Sequence, residues 1–261
     1  MKSIKTVALD KRLEKRLLEF MSHDRVSHFY AMYDLQHLRD KTLAWVALSE
    51  DEVVGYLFEY DKRILYMRGA RGCEISLLQN SGLTEALFNI ETHHLPSVKS
   101  LFELVEPADK ITEGQVTTFV TMKATGQSFK PVIRHEVREL KRDSAPALAD
   151  LLGTTPEQAL GFFGGSAFGL FKGNKLVSYA ASPETLEDLA IIRGVFTAPC
   201  ERNKGYSQSV CSALVKRILD EGKDVMLYVS KDNPGAIKVY GKIGFKKTGH
   251  LFFGFIAMRK D

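Results

Sequence analysis

The chain has 261 residues, of which 44% are hydrophobic and 26% charged, and these proportions are those of a globular protein with a full apolar core. No apolar run is long enough to span a membrane, and the segment Met1–Lys5 leads into charges rather than into the apolar core of a signal peptide. The three cysteines, Cys73, Cys200 and Cys211, are odd in number and lack metal-ligand spacing. We therefore expect reduced thiols, no metal site and a cytoplasmic location.

The net charge of +4 is small but unevenly distributed. Residues 132–261 contain 19 Lys and Arg against 14 Asp and Glu, whereas residues 1–131 contain 17 against 18. The resulting excess of positive charge in residues 132–261 is too diffuse for a groove that binds a nucleic-acid backbone, and no nucleic-acid-binding motif is present. We expect neither a nucleic acid nor a membrane as a partner.

The first half of the chain predicts a mixed α/β domain. In chain order the pattern predicts helices over residues 6–21 and 28–43, strands over 43–48, 53–60, 64–68 and 74–78, helices over 83–93 and 97–105, and a strand over 115–123. The basic segment Arg68–Gly72 is glycine-rich but precedes a predicted strand rather than a helix, so we interpret it as a turn. This half therefore contains no predicted phosphate-binding loop.

The second half begins after the best linker candidate, residues 124–128. The predicted elements are a strand over 132–140, helices over 144–152 and 156–163, a hairpin over 167–171 and 176–181, a strand over 189–196, a helix after Gly205, a strand over 224–229, a helix from Pro234 and a strand over 250–258. The sequence thus predicts two domains, residues 1–127 and residues 132–261.

The stretch Val195–Ser207 joins a buried strand to an amphipathic helix that carries Val210 and Leu214 on one face. Pro199 ends the strand, and Gly205 permits a tight turn into the helix. The N-terminus of a helix presents unpaired N–H groups and the positive end of the helix dipole, so it favours an anion such as a phosphate. An ordinary strand–helix connection would share this pattern, because a basic, glycine-containing helix entry is common.

The segments downstream complete a recognisable order. Asp224–Val229 is followed by Asn233–Tyr240 and then by Lys242–Phe245, and at this spacing residues 187–249 resemble the GNAT superfamily of acyl-CoA-dependent N-acyltransferases. Ser207 departs from the family, which usually has Gly or Ala there. The resemblance implies a mixed-sheet α/β fold for residues 132–261. It also suggests a tandem arrangement in which residues 1–127 form a degenerate GNAT-like domain; an unrelated α/β fold is the alternative.

The resemblance further implies acetyl-CoA as co-substrate, held between two parallel strands that splay apart. The backbone of the first strand would bond the pantetheine arm, and the amides of the loop would take the pyrophosphate. The residues assigned to the cofactor in this way are Val195, Phe196, Thr197, Arg202, Asn203, Lys204, Gly205, Tyr206, Ser207, Gln208 and Asn233.

Two side chains of the last helix have alternative interpretations. Asn233 precedes Pro234, a favoured N-cap pairing, while the resemblance makes it a contact to the cofactor arm. Tyr240 lies two helical turns further along, where its hydroxyl could protonate the departing thiolate. Alternatively, Tyr240 packs against Phe245 in the core.

The general base is less well defined. Related ribosomal-protein acetyltransferases have a Glu where this chain has Tyr228, and the nearest carboxylates are Glu187 and Asp188. We take Glu187 as the candidate base. His135 and His250 are further candidates, and a water relay is an alternative.

The sequence as a whole predicts an acetyl-CoA-dependent N-acyltransferase that modifies a primary amine of a small molecule or a peptide. The competing interpretation is a non-catalytic CoA-binding regulatory module, which a missing base would permit. The sequence is also compatible with a homodimer.

Overall fold

The computed structural model describes residues 3–105 and 116–260. In chain order the elements are β1 (Ile4–Ala8), α1 (Lys11–Ser22), α2 (Phe29–His37), β2 (Thr42–Ser49), β3 (Glu52–Tyr60), β4 (Ile64–Gly69), α3 (Glu74–Leu78), β5 (Glu85–Glu91), α4 (Leu95–Leu101), β6 (Phe102–Val105), β7 (Thr117–Ala124), β8 (Arg138–Glu139), α5 (Ala145–Leu152), α6 (Pro156–Ala159), β9 (Ser166–Lys172), β10 (Lys175–Thr185), β11 (Leu189–Thr197), α7 (Tyr206–Asp220), β12 (Asp224–Ser230), α8 (Pro234–Lys242) and β13 (Lys246–Arg259). None of the described helices is long and apolar enough to cross a membrane.

The chain divides into two compact units at different positions from those predicted. The N-terminal unit contains Met1–Phe119 and His250–Asp261, and the C-terminal unit contains Val120–Gly249. The predicted linker, residues 124–128, is part of the C-terminal unit, where Ser128 donates its backbone N–H to the carbonyl of Thr125 at 3.0 Å. A Cβ on Gly244, whose φ is +102°, would lie 2.0 Å from the Ser128 carbonyl oxygen, so this turn is tightly packed rather than free.

The two halves of the chain share one element order. A strand, two helices, three strands, a helix, a strand, a helix and a strand run from β1 to β6 and again from β8 to β13, although most of β13 belongs to the N-terminal unit. In both, the third of the three consecutive strands pairs in parallel with the next strand, β4 with β5 and β11 with β12. The predicted mixed α/β class is therefore confirmed, with two halves of the same type.

The N-terminal unit contains a sheet with the strand order β1-β2-β3-β4-β5-β13, and β6 also pairs with β13. Phe88 of β5 lies opposite Phe255 of β13, and their rings stack at 5.1 Å between centroids. Strand β5 replaces the helix predicted over 83–93. Its side chains alternate, since Ala86, Phe88 and Ile90 are buried whereas Leu87 is 40% exposed.

Other predictions in this unit were also wrong locally. Residues 74–78 form helix α3 rather than a strand, so Arg68–Gly72 does precede a helix, although one of only five residues. Strand β1 precedes α1, whose N-cap is Asp10. The predicted helix 97–105 divides into α4 and the strand β6.

The C-terminal unit contains a sheet with the order β7-β12-β11-β10-β9-β8. Helix α7 covers it with Val210, Leu214, Val215 and Ile218, each at most 2% exposed, as the amphipathic pattern predicted. Each such side chain contributes about 1.5–3 kcal/mol by burial. The predicted strand 132–140 is reduced to β8, because the backbone N–H groups of Val132 and Arg134 bond to hydroxyls of α7 instead.

Candidate active site

The candidate site lies where strands β11 and β12 separate. The two strands pair from Leu189 with Asp224 to Ile191 with Met226, and no further pair joins them within the described residues, although both continue to Thr197 and Ser230. The backbone edge of β11 over residues 195–197 is therefore not paired with β12. An unpaired strand edge offers N–H and C=O groups to an extended ligand.

A β-bulge accompanies this separation. Between the pairs Tyr179–Phe196 and Ala181–Arg193 the strand β11 advances by one residue more than β10. Gly194 within the bulge has φ +77°, and a Cβ there would lie 2.6 Å from Phe162 and from the hydroxyl of Tyr179. Only glycine fits this position, and a bulge bends the strand that contains it.

The loop after β11 presents backbone amides at the start of α7. Asn203 and Gly205 have φ values of +65° and +81°, so the chain turns sharply twice before the helix. Helix α7 begins at Tyr206 with no side-chain cap hydrogen bond from the described residues and no acidic residue in its first turn. Unpaired N–H groups in such a turn form a concave site that favours an anion.

The charges of the loop are partly balanced by a carboxylate that the sequence analysis overlooked. Glu201 accepts hydrogen bonds from Lys172 at 2.9 Å and from Lys204 at 2.7 Å. These bonds lower the pKa of the Glu201 carboxyl. Arg202 instead donates to the carbonyl of Thr197 at 3.3 Å and remains exposed. Two lysines thus pair with one carboxylate, and the exposed Arg202 adds to the positive charge of the loop.

His135, a candidate base in the sequence analysis, contacts the loop. Its Nε2 lies 2.9 Å from the backbone oxygen of Lys204, and its ring meets Tyr206 edge-on at 4.8 Å. The described contacts of His135 therefore position the loop. His250, the other candidate, lies in the N-terminal unit, where its Nε2 is 3.1 Å from Asp24.

Asn233 caps a helix and Tyr240 packs in the core, as the structural alternatives for these two residues predicted. The Oδ1 of Asn233 accepts a hydrogen bond from the Ala236 N–H at 2.9 Å and so caps α8. Tyr240 is 8% exposed, and its ring lies 5.8 Å from that of Phe245. Burial, and to a smaller extent Cys211, raises the pKa of the Tyr240 hydroxyl far above its usual range. The phenol therefore keeps its proton, and the roles of both residues toward a cofactor stay predictions.

The predicted base Glu187 lies in the exposed bend between β10 and β11, together with Asp188. It comes two residues before β11 begins, whereas the point where β11 and β12 separate lies after Ile191. The structure thus places Glu187 before the start of β11, and its role as the base stays a prediction. Spacing along the chain could not show where the strands separate, because the position of that point depends on the pairing of three strands.

A different carboxylate lies one strand away from that point. Glu184 of β10 lies opposite Ile191, the last residue of β11 that pairs with β12. Its Oε1 is 2.7 Å from the Nη2 of Arg193, and its Oε2 is buried and has no hydrogen-bond partner within the described residues. Burial raises the pKa of Glu184, and Arg193 opposes that effect. The available sequence signal was an acidic residue near the end of the largely buried strand β10.

Comparisons with known proteins concern the fold and part of the sequence. Residues 167–253 match the sequence model of the FR47-like protein family, which is related to the GNAT proteins. No curated protein sequence matches the chain. The resemblance to the GNAT superfamily inferred from the sequence is thus confirmed for this part of the chain.

Solved structures with a similar fold extend over almost the whole chain. A GCN5-related N-acetyltransferase from Sphaerobacter thermophilus is 15% identical, with a TM-score of 0.61 over 98% of this chain and 95% of that one. A tandem GNAT protein from the clavulanic acid biosynthesis pathway is 13% identical, with a TM-score of 0.59 over 98% of each chain. A GCN5-related N-acetyltransferase from Kribbella flavida is 11% identical, with a TM-score of 0.62 over 90% and 96% of the two chains. At these identities the likeness shows the fold.

Proposed function

We propose, for a chain that has the GNAT fold and whose residues 167–253 match the FR47-like family, that it transfers the acyl group of acetyl-CoA to a primary amine. One observation carries the proposal: the unpaired edge of β11 beside the uncapped start of α7. The extended pantetheine arm of acetyl-CoA can bond to a strand edge, and its pyrophosphate can bond to backbone N–H groups at the start of a helix.

The residues of the C-terminal unit fit acetyl-CoA as follows. The backbone of Val195, Phe196 and Thr197 would bond the pantetheine arm, and the amides from Asn203 to Gln208 would hold the pyrophosphate. The side chains of Arg202 and Lys204 add positive charge beside it. Bound in this way, acetyl-CoA supplies an activated acyl group and a thiolate leaving group.

The transfer itself needs a base and an acid. The amine nitrogen bonds to the acyl carbon while the bond from that carbon to sulfur breaks. We assign the amine proton to the carboxylate of Glu184, which lies on β10 opposite Ile191, and the proton that reaches sulfur to the Tyr240 hydroxyl. The Tyr240 phenol holds a proton at neutral pH, but burial raises its pKa above that of the departing thiol, about 8.5, so it is the weaker acid and gives up its proton only as the carbon–sulfur bond breaks.

The second candidate function is a CoA-binding module without catalysis. It is favoured by the ion pair that already holds Glu184 to Arg193 and by the close packing of Tyr240 on Phe245. The acceptor that we propose is a small-molecule or peptide amine. The free cysteines Cys73, Cys200 and Cys211 support a reducing compartment such as the cytoplasm.

The two functions are separated by measuring free thiol release from acetyl-CoA with a panel of amines. We expect amine-dependent thiol release above the rate without protein. Tight acetyl-CoA binding with no amine-dependent release from a panel of small and peptide amines would instead support the binding module.

A further inference from the structure

We propose that the N-terminal unit contains a Zn²⁺ site formed by Glu74, His93 and His94, at the loop between β4 and α3. One ligand atom from each of these residues lies within 4.8 Å of those of the other two. Two imidazoles and one carboxylate form a donor set that suits zinc and leaves a fourth position for water.

Two elements bring the ligands together. Glu74 is the first residue of α3, and His93 and His94 form the turn directly after β5. The Nδ1 of His94 is 3.0 Å from the Oε1 of Glu74. Two ligand atoms bound tetrahedrally at about 2.0 Å from zinc would be about 3.3 Å apart, so this pair needs only a small adjustment.

The outer atom of each ligand is already oriented by a neighbour. The Oε2 of Glu74 accepts the N–H of Gly72 at 2.7 Å, and the Nε2 of His93 lies 3.1 Å from the carbonyl oxygen of Gly69. Such contacts fix the orientation of metal ligands and leave their inner atoms available. The ion would bind the Oε1 of Glu74, in place of its present contact with the Nδ1 of His94, and the Nδ1 of His93.

His94 supplies the second, independent observation. Its side chain is fully buried. Its Nε2 lies 3.4 Å from the Oε2 of Glu91, an ion-pair contact, and makes no well-aligned hydrogen bond within the described residues. A neutral imidazole has one N–H, so with Nδ1 donating to Glu74 its Nε2 lone pair faces the carboxylate of Glu91.

The lone pair on Nε2 and the carboxylate of Glu91 repel each other, and a metal ion on Nδ1 of His94 removes this repulsion. The proton then resides on Nε2 and points at Glu91, which is the carboxylate–histidine–metal arrangement of zinc sites. Glu91 is held for that role by the N–H of Gly69 at 2.9 Å. The neighbouring Cys73 takes no part, because its thiol donates to the carbonyl of Ala70 at 3.0 Å. The ion would link the start of α3 to the turn after β5 and so stabilise the loop between β4 and α3.

The test uses the full chain after treatment with a chelator. Calorimetric titration with Zn²⁺ should give one site per chain and raise the melting temperature, and Co²⁺ should give the visible absorption of a low-coordinate site. His93→Ala, in a half-buried residue, and Glu74→Gln, which keeps the side-chain shape, should each weaken Zn²⁺ binding at least tenfold. His23→Ala removes an exposed imidazole at the end of α1 and should bind Zn²⁺ as the wild type does.

Circular dichroism and melting of the metal-free variants establish that they fold. The alternative is an imidazolium of His94 that bridges Glu74 and Glu91 without a metal. In that case the wild type shows no saturable site at one equivalent, or His93→Ala binds Zn²⁺ unchanged, and either result overturns the proposal.

Discussion

The loop after β4 and the loop after β11 occupy the same place in the element order of their units, but their backbone amides have different partners. In the N-terminal unit the N–H of Gly69 bonds to Glu91 and that of Gly72 bonds to Glu74. In the C-terminal unit the loop precedes a helix that has no side-chain cap among the described residues and no acidic residue in its first turn. Carboxylates of the chain itself thus occupy the anion position in one unit, and the position is open in the other.

The parallel strand pairs of the two halves also differ, because β4 is paired with β5 over more of its length than β11 is with β12. β4 and β5 pair at four positions, up to Met67 with Ile90, over a strand of six residues. β11 has nine residues but pairs with β12 at only three positions in the part of the chain that the structure describes. Shared element order is therefore not sufficient for a cofactor site, because the site also needs unpaired strand edges and unpaired amides.

The largest effect is expected for Gly205→Val, which should abolish acetyl-CoA binding. The φ of Gly205 is +81°, and a Cβ there would meet no described atom closer than 3.7 Å, so the variant should fold although its loop is strained. Such strain costs about 1–3 kcal/mol. Calorimetry measures the affinity.

Gly222→Val is the matched control for that variant. Gly222 has φ +79°, and a Cβ there would meet no described atom within 4 Å. This glycine follows α7 rather than preceding it, so it lies at the other end of the helix from the loop. The control should lose similar stability and keep its affinity. Equal loss of binding in both variants would show that strain, not the loop, is responsible.

Tyr240→Phe should lower turnover by roughly 10²-fold, the low end of the usual contribution of one general acid. The ring and its contact with Phe245 remain, so acetyl-CoA affinity should stay within a few-fold of that of the wild type. Single-turnover rates with a good amine acceptor provide the measurement. A wild-type rate would make Tyr240 a packing residue only.

Glu184→Gln should lower turnover by roughly 10²-fold as well, with binding retained. A base must be deprotonated, and burial raises the pKa of Glu184 above its ordinary value, so wild-type kcat/KM should rise with pH through that raised pKa. The variant should lose this rise. Glu187→Gln, in the exposed bend, is the control that should leave the profile unchanged; if Glu187→Gln alone abolishes turnover, the base is Glu187.

The smallest effect concerns the acid stability of the N-terminal unit. Burial, followed by the charge of Arg68, lowers the pKa of His28 to about 4, while Asp24 and Glu91 oppose this and His250 adds to it. The folded state therefore binds the proton only at lower pH than the unfolded state does, and stability present above pH 6.5 is lost as the pH falls toward 4. The loss should be about 2–3 kcal/mol.

His28→Gln should flatten that pH dependence in urea unfolding, whereas His23→Gln, at an exposed position, should not. An unchanged slope in His28→Gln would show that other groups cause the acid lability.

Local chemistry made the C-terminal elements predictable. Gly205, Pro234 and the apolar stripe of α7 each act within a few residues, and the helices begin where they indicated. Strand β5 was missed although Ala86, Phe88 and Ile90 alternate, because the apolar Leu87 between them obscures the period of two. Its pairing with β13, more than 160 residues further along the chain, is a contact that no short window contains.

The site was predictable only in part for the same reason. The loop residues are contiguous, so the pattern indicated them. The pair of Glu184 and Arg193 depends on the register of β10 with β11, and the bulge at Gly194 shifts that register. The cluster of Glu74, His93 and His94 joins residues from two elements with no familiar ligand spacing.

The most direct test of the difference between the two loops is the stoichiometry of acetyl-CoA binding, measured by calorimetry on the full chain at saturation. We predict one acetyl-CoA per wild-type chain and none for Gly205→Val. Two per chain would show that the carboxylates of Glu74 and Glu91 do not close the N-terminal loop, and one per chain in Gly205→Val would place the cofactor outside the loop after β11.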